Sequence, residues 1–129
     1  MFKSYLLVFT TLTFSYSSFG SHIENFLKAQ SPSIAITSLS KGISSGSATS
    51  KNVFKLSFIT SDITNNFNID DIVLYNAEIV SFSGKNNTYS AKLKILNKGI
   101  VTVEVYGFSF TDSEGNFNVS SDQFTIFKD

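Results

Sequence analysis

The stretch Thr88-Tyr89-Ser90-Ala91-Lys92-Leu93-Lys94-Ile95, followed by Asn97-Lys98-Gly99 and Val101-Thr102-Val103-Glu104-Val105, decides the fold class. Tyr89, Ala91, Leu93 and Ile95 alternate with Ser90, Lys92 and Lys94. Val101, Val103 and Val105 alternate with Thr102 and Glu104. Successive side chains of a strand point to opposite faces, so a period of two marks strands with one buried face. Asn-Lys-Gly between them is turn chemistry. The segment predicts two half-buried strands joined by a tight connection.

The same period extends outward in both directions. Phe54, Leu56 and Phe58 oppose Lys55 and Ser57, and Ile34 and Ile36 alternate with Ala35 and Thr37. Ile72–Tyr75 and Ala77–Phe82 form two further runs broken near Asn76, and Phe124 with Ile126 closes the last strand. Residues 40–52, rich in Ser and Gly, predict a long loop. Asn65–Asp71 predicts a single turn between strands. Gly107 predicts a bulge or bend, after which Phe108 and Phe110 continue the strand. Residues 23–30 predict a helical turn or lead-in that ends before Pro32, within an N-terminal lead-in over 21–32.

From 33 to 129 no helical stripe exceeds one turn. About seven strands at spacings of about 8–12 residues predict an all-β Greek-key sandwich over 33–129. Alternating strands need a facing sheet to bury their Phe and Ile side chains.

Composition narrows the chemistry. The chain has 129 residues, 42% of them apolar and 16% charged, which is one domain with material for a core. Ten Lys balance ten Asp plus Glu, with no Arg, a poor endowment for binding phosphate backbones, so no nucleic-acid partner is expected. The absence of Cys removes disulfides, thiolate zinc sites, Fe–S clusters and cysteine nucleophiles together. A single histidine, His22, leaves little from which to build a general base or a histidine metal centre. Fourteen Phe and no Trp predict a Phe-packed core. Burying each Phe contributes about 1.5–3 kcal/mol, so a disulfide-free fold is affordable.

The N-terminus has the form of a signal peptide over residues 1–20. Lys3 supplies the positive charge, Tyr5–Phe14 is uncharged and largely apolar, and Ser18-Phe19-Gly20 offers small residues at −3 and −1. The apolar run is too short for a membrane span. The mature chain is expected to begin at Ser21 without a transmembrane segment. It is expected to be secreted or at the cell surface, with the periplasm as the other exported compartment.

The stretch Phe54 to Asn116 resembles a bacterial Ig-like domain of the kind repeated in large surface adhesins. An "F-x-x-D-D-I" step appears as Phe67-Asn68-Ile69-Asp70-Asp71-Ile72, and a "V-x-N-G-x-V-x-x-F-S-G" stretch as Leu74–Gly84. "T-Y-x-A-x-[VL]" appears as Thr88–Leu93, "G-x-V-T-V-x-V" as Gly99–Val105, and "D-x-x-G-N" as Asp112–Asn116. The chain departs from the pattern at Ala77, Ile95 and Lys98, where the family has Gly, Pro and an acidic residue. The resemblance implies an Ig-like sandwich in adhesive arrays, with neighbouring Ig-like domains as partners. It also implies calcium between successive domains.

Two acidic sites are calcium candidates: Asp112, Glu114 and Asn116 in one turn, and the adjacent Asp70 and Asp71. Calcium needs about six to eight oxygen ligands. The same residues also read as turn and helix caps, with Gly115 supplying a positive φ. Asn86-Asn87-Thr88 and Asn118-Val119-Ser120 are N-glycosylation sequons. Lys85, Lys92, Lys94 and Lys98 form a modest basic group, and Tyr75, Tyr89 and Tyr106 are candidates for a sugar-stacking surface. No nucleophile–base pair or other catalytic motif is present, so no enzymatic activity is expected. The expected function is a non-enzymatic exported Ig-like module for cell-surface adhesion, assembly or spacing, contacting protein or glycan. The alternative is an accessory domain that binds carbohydrate or another envelope protein.

Overall fold

The computed structural model describes residues 30–129. The signal peptide over 1–20, and nearly all of the lead-in, lie outside the described residues.

Eight strands follow in chain order: β1 (Ile34–Ser38), β2 (Ala48–Thr49), β3 (Val53–Thr60), β4 (Ile72–Tyr75), β5 (Ala77–Lys85), β6 (Thr88–Ile95), β7 (Gly99–Val105) and β8 (Phe124–Lys128). They form two four-stranded sheets, ordered β1-β3-β6-β5 and β2-β8-β7-β4. All pairings are antiparallel except that of β2 with β8, which is parallel.

The alternating stretches fold as their period requires. Tyr89, Ala91, Leu93 and Ile95 of β6 are buried, as are Val101, Val103 and Val105 of β7. Phe54, Leu56 and Phe58 of β3 are buried with them. Phe54 stacks on Phe124 of the other sheet with ring centroids 6.4 Å apart, so the two inner faces meet in one core.

Phe67, which belongs to no strand, plugs one end of that core. Its ring lies 5.0 Å from Tyr89, 5.3 Å from Phe110, 5.9 Å from Phe82 and 6.0 Å from Phe58, centroid to centroid. Such tilted and edge-on pairs are the favoured arrangement of ring quadrupoles.

Two local expectations need correction. Residues 40–52 are not all loop, because Ala48–Thr49 pairs with Phe127 and Lys128. The strand through Val105 does not resume at Phe108 and Phe110: the chain turns at Gly107, and Phe108 has φ 64°, which no extended strand accepts. The bend at Gly107 is present as expected, and a separate ladder irregularity lies in β5, between Ile79 and Ser81, where Val80 is left out of the register.

Between β4 and β5 the chain changes sheet through the single residue Asn76, whose φ of 63° is tolerated by an Asn side chain. Among the described residues no helix is long and apolar enough to cross a membrane.

Candidate functional site

The loop from Tyr106 to Gln123, between β7 and β8, carries the most exposed large apolar side chain of the described residues. Phe108 is 79% exposed and Phe117 is 49% exposed. Their rings sit 5.6 Å apart, and Tyr106 beside them is also exposed.

A bulky residue with positive φ is uncommon, and it persists only where its surroundings hold it. Asn118 is what holds Phe108. It is 2% exposed, and its Oδ1 accepts from the N–H groups of Ser109 (2.7 Å) and Phe110 (2.8 Å). Its Nδ2 donates to the carbonyls of Tyr106 (2.9 Å) and Val119 (3.0 Å). Its backbone C=O accepts from Phe108 N–H and its N–H donates to Phe110 C=O, each at 3.0 Å. One buried residue thus satisfies both sides of the turn, through its side-chain amide and its backbone together.

Neighbouring loops brace this one. Thr64 Oγ1 donates to the Thr111 carbonyl at 2.6 Å, Asn66 Oδ1 accepts from Thr111 N–H at 3.0 Å, and Asn66 Nδ2 reaches Thr111 Oγ1 at 2.9 Å. Tyr89 Oη donates to the carbonyls of Thr64 (3.2 Å) and Asn86 (3.0 Å), and burial pushes its phenol pKa up. The β3–β4, β5–β6 and β7–β8 connections are therefore knit together at one end of the sheets.

The acidic calcium candidates fall into two separate structural roles. In the tip of the β7–β8 loop, Asp112 Oδ1 accepts from the N–H groups of Glu114 and Asn116, both at 2.9 Å, and Oδ2 from Asn116 Nδ2 at 3.1 Å. These bonds, led by those from Asn116, hold the Asp112 carboxyl below the usual carboxylate range. Asp70 and Asp71 lie in a 3₁₀ turn, Ile69–Asp71, with a capping box: Asn68 Oδ1 accepts from Asp70 N–H, and Asp71 Oδ2 from Asn68 N–H. Desolvation raises the Asp71 pKa, against the lowering effect of the Asn68 bond. Among the described residues no three His, Asp or Glu side chains are grouped to hold a metal ion. The Asp112 oxygens serve the turn, and Asp71 with Asn68 caps the 3₁₀ segment.

The three tyrosines do not share a surface. Tyr89 is in the core, Tyr106 lies on the β7–β8 loop, and Tyr75 ends β4 at the opposite end of the sheets. The lysines disperse too: Lys92 and Lys94 lie on exposed positions of β6, Lys85 at the β5–β6 hairpin, and Lys98 in the β6–β7 turn. Lys94 Nζ is 3.9 Å from Glu78 Oε2, an exposed pair worth little. Asn118 cannot carry a glycan in this fold, since it is buried and a sugar would replace one of the two Nδ2 hydrogens that bond Tyr106 and Val119, whereas Asn86 is exposed.

Tyr75 borders a cleft of about 520 Å³ with Leu96, Asn97, Lys98 and Ile100. Asn76 builds its frame. Its Nδ2 donates to the carbonyls of Asn97 (2.8 Å) and Ile100 (3.1 Å), and its Oδ1 accepts from Asn97 N–H (2.9 Å). The Asn76 carbonyl accepts from Leu96 N–H at 3.1 Å.

Comparison with family profiles, curated proteins and solved structures finds no match to this chain.

Proposed function

We propose that the chain is a non-enzymatic exported Ig-like module that mediates adhesion or assembly at a cell surface through its β7–β8 loop. The displayed Phe108 carries this proposal. An aromatic side chain displayed in solvent from a backbone pinned against its preference has part of its ordering entropy already removed before it meets a partner, as suits an interface anchor.

The sheet orders β1-β3-β6-β5 and β2-β8-β7-β4 support the Ig-like assignment. They correspond to the A-B-E-D and G-F-C sheets of an Ig sandwich, with β2 as a short additional edge strand. In that correspondence the β3–β4 and β7–β8 loops are the B–C and F–G loops, which variable Ig domains use for recognition. Fold analogy alone does not assign a function, so the exposed aromatic pair is the necessary second support. The N-terminal sequence supports export.

Beads coated with the mature protein should bind the surface of the cells that produce it, and F108S should abolish binding while leaving the melting temperature unchanged. Equal binding by F108S would overturn the role of the loop. Fractionation of the same cells with intact-mass analysis should find a species beginning at Ser21 outside the cytoplasm. A full-length cytoplasmic species would overturn export.

A further inference from the structure

We infer that the cleft between the β4–β5 and β6–β7 connections binds a carboxylated pyranose, such as a hexuronic acid residue of an acidic polysaccharide. This is independent of the β7–β8 loop and of export.

Tyr75 is 65% exposed, and Leu96 and Ile100, which also line the cleft, are each about half exposed. Three large apolar side chains around one open concavity present a surface that water solvates poorly. The polar groups beside them are exposed to solvent and uncommitted to other protein groups. The Tyr75 hydroxyl, the Asn97 carboxamide and the Lys98 ammonium make no hydrogen bond or ion pair among the described residues. The Asn97 backbone, by contrast, is fully committed to Asn76, so the turn that carries these groups is fixed in place.

The volume of about 520 Å³ lies within the range of about 300–1,000 Å³ typical of small-ligand sites. The combination selects a ligand class. A purely apolar ligand would make no use of the Asn97 carboxamide or the Lys98 ammonium and would cost them part of their hydration. A phosphate is better matched by guanidinium forks, and the chain has no Arg. A pyranose offers an apolar C–H face to the negative face of the Tyr75 ring. Its hydroxyls match the carboxamide of Asn97, which both donates and accepts. A ring carboxylate matches Lys98, the one charged residue lining the cleft among the described residues. Among the described residues no carboxylate lines the cleft, so the carboxylate pair that glycoside hydrolysis uses is not there and the site is read as a binding site.

The test is a titration of the ¹⁵N-labelled full-length protein with sodium glucuronate, with glucose and sodium acetate as controls, read by amide chemical shifts. Glucuronate should give saturable shifts confined to Tyr75, Asn76 and residues 96–100. Glucose should bind the same amides about tenfold or more weakly, and acetate should give no saturable shift there. Y75A should lose at least tenfold in affinity, and K98Q should remove the preference for glucuronate over glucose. Shifts elsewhere, equal shifts with acetate, or undiminished binding by Y75A would each overturn the inference. F108S should leave all of these results unchanged, which separates failure here from failure of the β7–β8 loop as an adhesive surface.

Discussion

Each end of the sandwich is organised by one asparagine, but in opposite ways. At the end holding the β3–β4, β5–β6 and β7–β8 connections, Asn118 is buried and all its side-chain bonds serve to display Phe108. At the other end, Asn76 is only partly covered, and its bonds fasten a turn around a cleft. The first arrangement projects a convex aromatic surface, suited to a partner that supplies the pocket. The second forms a concavity, suited to a small ligand. A satisfied polar group is far more costly to delete when buried than when water can replace it. The two ends should therefore respond very differently to equivalent substitutions.

The sharpest way to break the comparison is to remove both pins. N118A strands the N–H groups of Ser109 and Phe110 and the Tyr106 carbonyl, and should cost about 3 kcal/mol in urea unfolding. A loss below about 1 kcal/mol would show that water replaces the amide and that the loop is not preorganised. G84A, in the hairpin strand beside Tyr89, should cost about 2–3 kcal/mol. A Cβ there would lie 2.5 Å from Tyr89 Cα and fall on the Thr88 carbonyl, at a φ of +139°. G99A provides the control at the cleft end: its Cβ meets nothing within 4 Å, so only φ strain of about 1 kcal/mol applies.

N76G retains the backbone conformation but loses the exposed side-chain bonds, and should cost only about 1 kcal/mol. A loss equal to that of N118A would erase the distinction between the ends. F108G should raise stability by about 0.5–1 kcal/mol by relieving the positive φ, while removing adhesion. A simultaneous gain in stability and loss of binding would identify strain retained for function.

The smallest expected effect is a pH dependence. The Asp112 carboxyl titrates below its unfolded value, so its stabilisation is present above the ordinary carboxylate range and is lost as pH falls through the folded pKa. D112N should melt below the native protein at neutral pH, and the two melting curves should converge in acid.

Much of the framework was legible in sequence because burial on one face imposes the period of two. β6 and β7 could hardly have been read otherwise. β2 was not legible: two residues in a Ser/Gly-rich run carry no period, and their pairing with β8 is a tertiary event. The loop after Val105 was misread for a physical reason. Phe108 and Phe110 preserve the alternation, yet Phe110 is core and Phe108 is solvent, a difference set by one positive φ. Asn118 stood out only as part of a sequon, because the groups it satisfies lie up to 12 residues away and meet it only after folding. The Asp112 turn and the Asp70–Asp71 cap were readable as capping chemistry, and the structure places both in that role. The cleft joins two turns some 20 residues apart, beyond the reach of any local pattern.

The burial of Asn118 also bears on how the protein can be manufactured. Oligosaccharyl transfer in a eukaryotic secretory host acts on nascent chains, before the loop has closed. A sugar added then at Asn118 would occupy the nitrogen that later bonds Tyr106 and Val119, leaving the product permanently unable to complete its aromatic loop. A bacterial host, or the S120A change that erases the acceptor sequence, avoids that dead end. Gly107 N–H donates to the Ser120 hydroxyl at 2.9 Å, so the second route sacrifices one exposed hydrogen bond.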